Sequence, residues 1–304
     1  MFALLKNRNF IFLAAIAFGL ILPQAAIFSK HFMLLALAVV MTLATTSVPN
    51  DLFRSWRAFV MPSIAGIVIS YLVLGGLLLA LAAAFINDMD IWIGFVLIAA
   101  VPPAVAVIPF TAILKGDVPY TLTATVSAYL AALAVLPLMF FFFIGTEFTQ
   151  KAKLIEVVLL LIVLPLLASR IILYLKLDEK IDSIRGLITD WGFFIVLYTM
   201  IGLNRDLIFS QPLMILPVAL IIFAVIIVPG FLIKQTGLLF KIEKSRVTSL
   251  LLLGTLKNQG IAGGLAITLF AEKAALPSSL YTAFMILYFM WLDWLDLQQR
   301  RQKY

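Results

Sequence analysis

The sequence predicts an all-α, polytopic membrane fold. Three observations carry this: the composition, a series of apolar runs each long enough to cross a bilayer, and a lopsided distribution of Lys and Arg over the breaks between them. Of 304 residues, 64% are hydrophobic and 12% charged, against about half and about a quarter in soluble domains. The 22 Lys/Arg and 15 Asp/Glu cannot clothe a soluble particle of 33.6 kDa, so a soluble enzyme is the first class excluded. With no cysteine there is no disulfide framework, Cys-type zinc site, iron–sulfur cluster or thiol chemistry, and the single His31 leaves no His-rich metal site. No metal and no cofactor is expected. The net charge of +7 would suggest nucleic acid in a soluble protein, but in a membrane protein it records which side the loops face. The expected surroundings are a lipid bilayer, with no nucleic-acid partner.

About 20 apolar residues span the roughly 30 Å hydrocarbon layer as a helix. Ten runs fit, over 10–29, 32–50, 60–86, 91–114, 119–145, 153–175, 187–203, 211–233, 247–271 and 277–296. They are apolar on all faces and lack the alternation of a membrane β-barrel. Under this ten-span scheme 16 Lys/Arg fall on the side of the termini, among them Lys6, Arg8, Arg185 and Arg246. Only Lys30, Lys151, Lys153, Arg205 and Lys273 fall opposite. This bias predicts an even number of crossings with both termini cytoplasmic, in a plasma membrane, or an inner membrane if the source is bacterial. Pro23-Gln-Ala-Ala26 after the first run offers a poor small-x-small cleavage site, so the first helix is expected to be retained. The chain is expected to form one integral domain, 1–304.

Ten spans divide into five and five, near 1–147 and 148–304, around residues 145–153. An odd-numbered unit repeated in one chain lies inverted relative to its twin, the plan of many secondary transporters. The plan predicts that the fourth and ninth spans are both interrupted at mid-depth, and both carry breaking residues. The fourth contains "AAVPPAVAVIPF", in which Pro102, Pro103 and Pro109 lack amide donors. Pro102 lies twelve residues from Asp90 and thirteen from Lys115, or roughly 18 Å from either polar end. The ninth contains "GTLKNQGIAGG", grouping Lys257, Asn258, Gln259 and Gly260, with Lys257 eleven residues from Arg246 and so about 16 Å deep. Pro137, Pro165, Pro217 and Pro229 read as ordinary kinks, and Gly75, Gly76, Gly263 and Gly264 as sites of close helix contact.

Helices broken at one depth present orphan amides where half-helices begin and orphan carbonyls where they end. Such ends suit anions and cations respectively. An ammonium at mid-depth costs roughly 3 kcal/mol or more to insert. Snorkelling is the bland alternative for Lys257, but its depth disfavours it. Its expected partners are carbonyls around Ala99 to Val101, with Asn258 and Gln259 alongside. No acidic residue is expected at mid-depth: Glu147, Glu156, Asp190, Glu272, Asp293 and Asp296 fall near predicted span ends and read as interfacial charges. A net positive pocket favours an anionic substrate. Thr121 and Thr125 share a face at the start of the fifth span. Two roles are open for them, ligand or hydrogen bonding to a carbonyl one turn back. Thr42, Thr45, Thr46 and Ser47 are equally open.

These motifs resemble the bile acid:sodium symporter family and its wider superfamily. The segments "PPAVAVIPFTAILKGDVPYTLTATV" and "GTLKNQGIAGGLA" look like that family's discontinuous fourth helix with its following turn and its ninth-helix Gln-Asn-x-Gly region. The resemblance implies a panel of helices 1, 2, 6 and 7 beside a core of 3–5 and 8–10, with the broken helices crossing in the core and an elevator or rocking exchange between states. It also implies where sodium ligands belong, and there the chain departs. Leu253 replaces a glutamate, Lys257 a glutamine, and Val107 and Ile108 a Ser-Asn pair, while Asn258 and Gly260 are kept and Thr121 and Thr125 fall at hydroxyl positions. Losing a carboxylate and gaining an ammonium should repel sodium. The expected function is therefore sodium-independent transport of a small organic anion, bile-acid-like, keto-acid or pantoate-like, with Lys257 in place of the ion. The alternatives are sodium- or proton-coupled symport, with Lys257 titrating in the proton case, and a non-transporting membrane sensor. An intramembrane enzyme fits poorly. There is no facing pair of membrane aspartates, Asp88 and Asp90 are too sparse for a diphosphate–magnesium site, and His31 stands alone for Ser-His chemistry.

Overall fold

The computed structural model describes residues 4–46, 56–145 and 150–301. Expectations placed on Ser47, Arg54 and Glu147, and on the side chains of Arg57, Asp293 and Asp296, lie outside the described residues. Within them the chain is helical with no strands, as a bilayer demands of backbone that must satisfy itself.

The elements run α1 (Arg8–Ile21), α2 (Ala26–Thr45), α3 (Trp56–Ile67), α4 (Gly76–Phe85), α5 (Met89–Ala100), α6 (Val107–Ile113), α7 (Val118–Phe143), α8 (Lys151–Val158), α9 (Leu164–Tyr174), α10 (Asp178–Ser210), α11 (Pro212–Leu239), α12 (Lys244–Thr255), α13 (Gln259–Leu269) and α14 (Leu276–Arg301). Wide π turns over Val68–Gly75 and Leu159–Val163 join α3 to α4 and α8 to α9 into continuous rods. Among the described residues, six helices or joined rods, from Pro23, Phe59, Val118, Lys151, Asp178 and Pro212 onward, are long and apolar enough to cross a membrane. Helices α1, α5 and α13 are shorter but apolar. The molecule is an integral membrane protein.

Local chemistry sets the ends. Asn7, Asp88, Asp117 and Asn258 each accept an amide from the residue three further on, at 3.0–3.2 Å, and so start α1, α5, α7 and α13. Lys115, Lys176 and Lys241 follow α6, α9 and α11 with positive φ. In each case the next amide bonds a carbonyl five residues back, closing the helix as a Schellman turn with a cation at the negative end.

Two boundary differences change where charged residues lie. Pro23 and the turn Pro23–Ala25 end the first helix at Ile21, so Lys30 and His31 lie inside α2 rather than between spans. Helix α10 begins at Asp178, well before residue 187, because "DEKIDSIRG" is too polar for a hydropathy criterion but helical, with Asp178 and Glu179 favouring its positive end. Pro109 also departs from expectation: it does not open a helix but lies in the first turn of α6, where no amide is required.

The helices pack in two groups. Helix α10 lies against α1 and α2, and α9 against α2, while α3, α5, α7 and α11–α14 pack on one another. Close approach in the second group also rests on glycines that were not singled out from sequence. A Cβ at Gly66 would lie 2.6 Å from the Ala124 carbonyl oxygen, pinning α3 to α7, and Gly94 abuts the Ala274 carbonyl and Pro277. Of those singled out, Gly75 approaches Ala99, Gly263 meets the flexible Met200 side chain and Gly264 lies close to Leu34, while Gly76 faces open space. Accordingly Gly66→Val should destabilise the protein by about 1–3 kcal/mol through overpacking. Gly76→Ala should be neutral or mildly stabilising. Thermal unfolding of the two variants in detergent tests the contrast.

Candidate functional site

The helical path is interrupted at residues 101–106, between α5 and α6, and at 256–258, between α12 and α13. The two extended stretches cross antiparallel as a single β-bridge between Pro103 and Lys257. The Asn258 amide donates to the Pro102 carbonyl at 2.9 Å, and the Ala104 amide to the Leu256 carbonyl at 3.3 Å. Pro103 and Lys257 thus form a non-hydrogen-bonded pair, in which no amide is called for. A proline is therefore accommodated where the strands meet, while its neighbour Pro102 contributes only the carbonyl that the bridge uses.

Lys257 is completely buried. Its Nζ donates to the carbonyls of Ala99 at 2.9 Å and Val101 at 2.7 Å, orphan acceptors at the end of α5. These belong to the segment assigned to it from sequence. The ammonium also lies over the Tyr71 ring, 4.3 Å from its centroid, and the Tyr71 hydroxyl donates to the Ala128 carbonyl at 2.7 Å. Burying a cation costs several kcal/mol. Two charge-assisted hydrogen bonds of about 1.5–3 kcal/mol each, with a desolvated cation–π contact of about 2, are of the size needed to offset it. The negative end of the α5 dipole adds to the attraction. The corresponding end of α12 is satisfied by Tyr281, whose hydroxyl donates to the Thr255 carbonyl at 2.7 Å.

Around this junction the other residues singled out from sequence divide. Asn258 caps α13 through Oδ1 and donates from Nδ2 to the Tyr129 hydroxyl at 2.8 Å, so it is spent on structure. Gly260 lets Leu37 of α2 approach α13. Gln259 is 2% exposed and neither amide atom has a partner. Thr121 accepts from Thr111 at 3.2 Å, tying α7 to α6. Thr125 Oγ1 is buried without a partner and borders a small void shared with Val105, Ile108 and Tyr129. In α2, Thr42 and Thr45, and Thr46 just after it, bond to carbonyls of the preceding turn. Leu253 and Val107 are fully buried in the main hydrophobic core, and Ile108 packs with Leu122 and Val126.

A cavity of about 330 Å³ opens between the two groups of helices. Its inner end is Lys257, Asn258, Gln259 and Gly260, and its walls are predominantly apolar. Arg8, Arg185 and Asp190 also line it. Asp190 corrects a sequence expectation. It is not an interfacial charge at a helix end but is 6% exposed, more than three turns into α10, and paired to Arg8 Nε at 2.8 Å. The longer α10 is the reason. Sequence reasoning also missed Tyr71 and Tyr129, although two tyrosines within otherwise apolar runs were a legible signal. Opposite the arginine end, Lys30 bonds Glu272 at 2.7 Å and Ser279 bonds the Met200 carbonyl at 3.1 Å, closing α2 and α10 against the segment around α14.

Replacing Lys257 by Met should leave the Ala99 and Val101 carbonyls unsatisfied, lowering stability by roughly 2–6 kcal/mol. Asn258→Ala should cost about 1 kcal/mol through the lost cap and more through the orphaned Tyr129. Denaturation of both variants in the same detergent provides the measurement.

Comparison with known proteins bears on the same region. A search of curated proteins finds no match. The family model described as the Sodium Bile acid symporter family matches residues 32–211, a range that contains the first interruption and stops short of Lys257. Since that is more than half of the molecule, the chain belongs to the sodium bile acid symporter family.

Proposed function

We propose that this protein is a secondary transporter that moves a small organic anion across a bilayer by alternating access, independently of sodium, with the Lys257 ammonium standing where relatives hold the ion. The observation carrying this is the donation from Lys257 Nζ to the carbonyls of Ala99 and Val101. Those oxygens are the acceptors a bound cation would need, and a fixed positive charge already fills them. Leu253, buried and apolar, supplies no compensating carboxylate.

The architecture proposed is ten crossings in two inverted halves, 1–147 and 148–304. Supporting it, the twelve-residue α5 and the twelve-residue α12 both stop at a break, and each is followed by a second half-helix, α6 or α13. The packing of α1, α2, α9 and α10 chiefly on one another, with α10 also meeting α14, is consistent with a panel moving against a core. The cavity reaches from the crossover toward Arg8 and Arg185, which under the positive-inside bias is the cytoplasmic side of a plasma membrane. On this view the conformation is inward-facing, closed outside by contacts such as Lys30–Glu272. Arg8, Arg185 and Lys257 against the single Asp190 favour an anion in the cavity, and the unpartnered Gln259 amide is available to it at depth.

Uptake of labelled organic anions into proteoliposomes, with sodium and pH gradients imposed separately, tests this. Exchanging sodium for potassium should leave the rate unchanged, and accumulation driven by a sodium gradient would overturn the proposal. Lys257→Gln combined with Leu253→Glu should introduce a sodium effect absent from the parent.

A further inference from the structure

Two turns at one edge of the molecule collect cations that the protein does not neutralise. The turn after α6 carries Lys115, and the connection from α11 to α12 carries Lys241 and Lys244, with Lys234 in the last part of α11. The turns are stitched together. The Asp117 amide donates to the Ser245 carbonyl at 3.1 Å, and Arg246, whose guanidinium lies 5.1 Å from the Tyr120 ring centroid, reaches Asp117 at 3.4 Å. All four lysines are exposed, and among the described residues none of them stands in an ion pair. The two carboxylates of these turns are already engaged. Asp117 caps α7 and takes Arg246, and Glu243 accepts from the Ser245 hydroxyl at 2.7 Å. The opposite edge is built differently: there Lys30, Lys153, Arg205 and Lys273 pair with Glu272, Glu156, Asp206 and Asp88.

The same connection presents Leu238, Leu239 and Phe240 at 73%, 77% and 69% exposure. Apolar side chains this open at the end of a membrane-length helix meet acyl chains. Lys234 shares a helical face with Leu238 one turn on, so its stem lies along apolar surface with the ammonium reaching for the polar boundary. A surplus of positive charge beside a lipid-facing apolar step matches a phospholipid whose phosphate is not cancelled by its own head group. A free anion would gain nothing from the apolar step. Lys115 and Lys241 both hold left-handed backbone, φ 56° and 51°, in the turns that close α6 and α11. Two of the cations therefore stand on fixed turns rather than on a loose tail, which lowers the cost of ordering them around a ligand.

We propose that this edge is a binding surface for an anionic phospholipid. Lys241 and Lys244 hold the phosphate, Lys115 and Lys234 flank it, and the acyl chains lie on Leu238, Leu239 and Phe240. None of these residues lines the cavity, so the assignment does not depend on what the protein transports.

The test titrates the purified, delipidated protein with phosphatidylglycerol and with phosphatidylcholine of the same chains, counting bound lipid by native mass spectrometry. The wild type should retain phosphatidylglycerol in preference, and the preference should fall as ionic strength rises, because the lysines are exposed. Lys241→Asn with Lys244→Gln, the Asn chosen because it tolerates the left-handed turn, should weaken phosphatidylglycerol binding about twenty- to thirtyfold, from about fivefold per lysine. Phosphatidylcholine binding should not change. Lys244→Arg should keep the preference, and Leu238→Ser with Leu239→Ser should reduce it. Lys176→Asn with Lys180→Gln removes the same charge from the turn between α9 and α10, where Lys176 is also left-handed, and should bind as the wild type does. Equal losses in the two lysine double variants, or a wild type without preference for phosphatidylglycerol, would overturn the proposal. Displacement of the lipid by an equal concentration of inorganic phosphate would show a free-anion site and overturn the lipid assignment.

Discussion

Backbone that leaves a helix inside a bilayer has no water to turn to, and the crossover between the α5–α6 and α12–α13 breaks is organised by that constraint. Carbonyls at the end of α5 take the ammonium of Lys257, the carbonyl ending α12 takes the Tyr281 hydroxyl, and the two extended stretches bond each other across Pro103 and Lys257. The lysine thus belongs through its backbone to the α12–α13 break and reaches the α5–α6 break through its side chain. Without the carbonyls its charge would be uncompensated. Without the charge the carbonyls would be unsatisfied. Neither half of the arrangement is stable alone in an apolar surround.

The rest of the fold holds these groups at bonding distance. Asn258 starts α13 and simultaneously fixes Tyr129 on α7, and Gly66 brings α3 close to that same helix. Tyr71, within the wide turn between α3 and α4, then covers the ammonium with its ring. A π turn places residues slightly off the ordinary helical register, and here it does so where an aromatic face is needed. At the other end of α5, Asp88 caps the helix and bonds Lys273, anchoring the half-helix whose last carbonyls serve the junction.

Between the crossover and the group formed by α1, α2, α9 and α10 lies a largely apolar cavity with a polar inner end and a basic mouth. Membership of the sodium bile acid symporter family makes this space the natural place for a transported solute. Charge is distributed unevenly within it. The buried lysine is held by the protein's own oxygens, whereas Arg185 at the mouth keeps an Nε donor without a partner.

Much of this was legible in the primary structure for simple reasons. Apolar runs of span length, the Lys/Arg bias, Pro102 and Pro103 in one run and Lys257 to Gly260 in another are local signals. They identified a helical membrane protein, two interruptions, and the Ala99–Val101 carbonyls as the place for the ammonium. Signals spread over distant residues were not legible. Hydropathy could not show that the charged segment 178–186 continues α10, and so could not bury Asp190 beside Arg8. Spacing alone could not choose Gly66 over Gly76, because a glycine's worth depends on what faces it from another helix. Sequence by itself determined which backbone groups would be orphaned in the membrane, and that Lys257 would meet those ending α5, since both follow from where helices must break. Only the tertiary structure decided that Tyr281 serves the Thr255 carbonyl, that Tyr71 covers the Lys257 amine and that Asp190 is buried beside Arg8, because those partners are set by how helices pack on one another and not by local sequence.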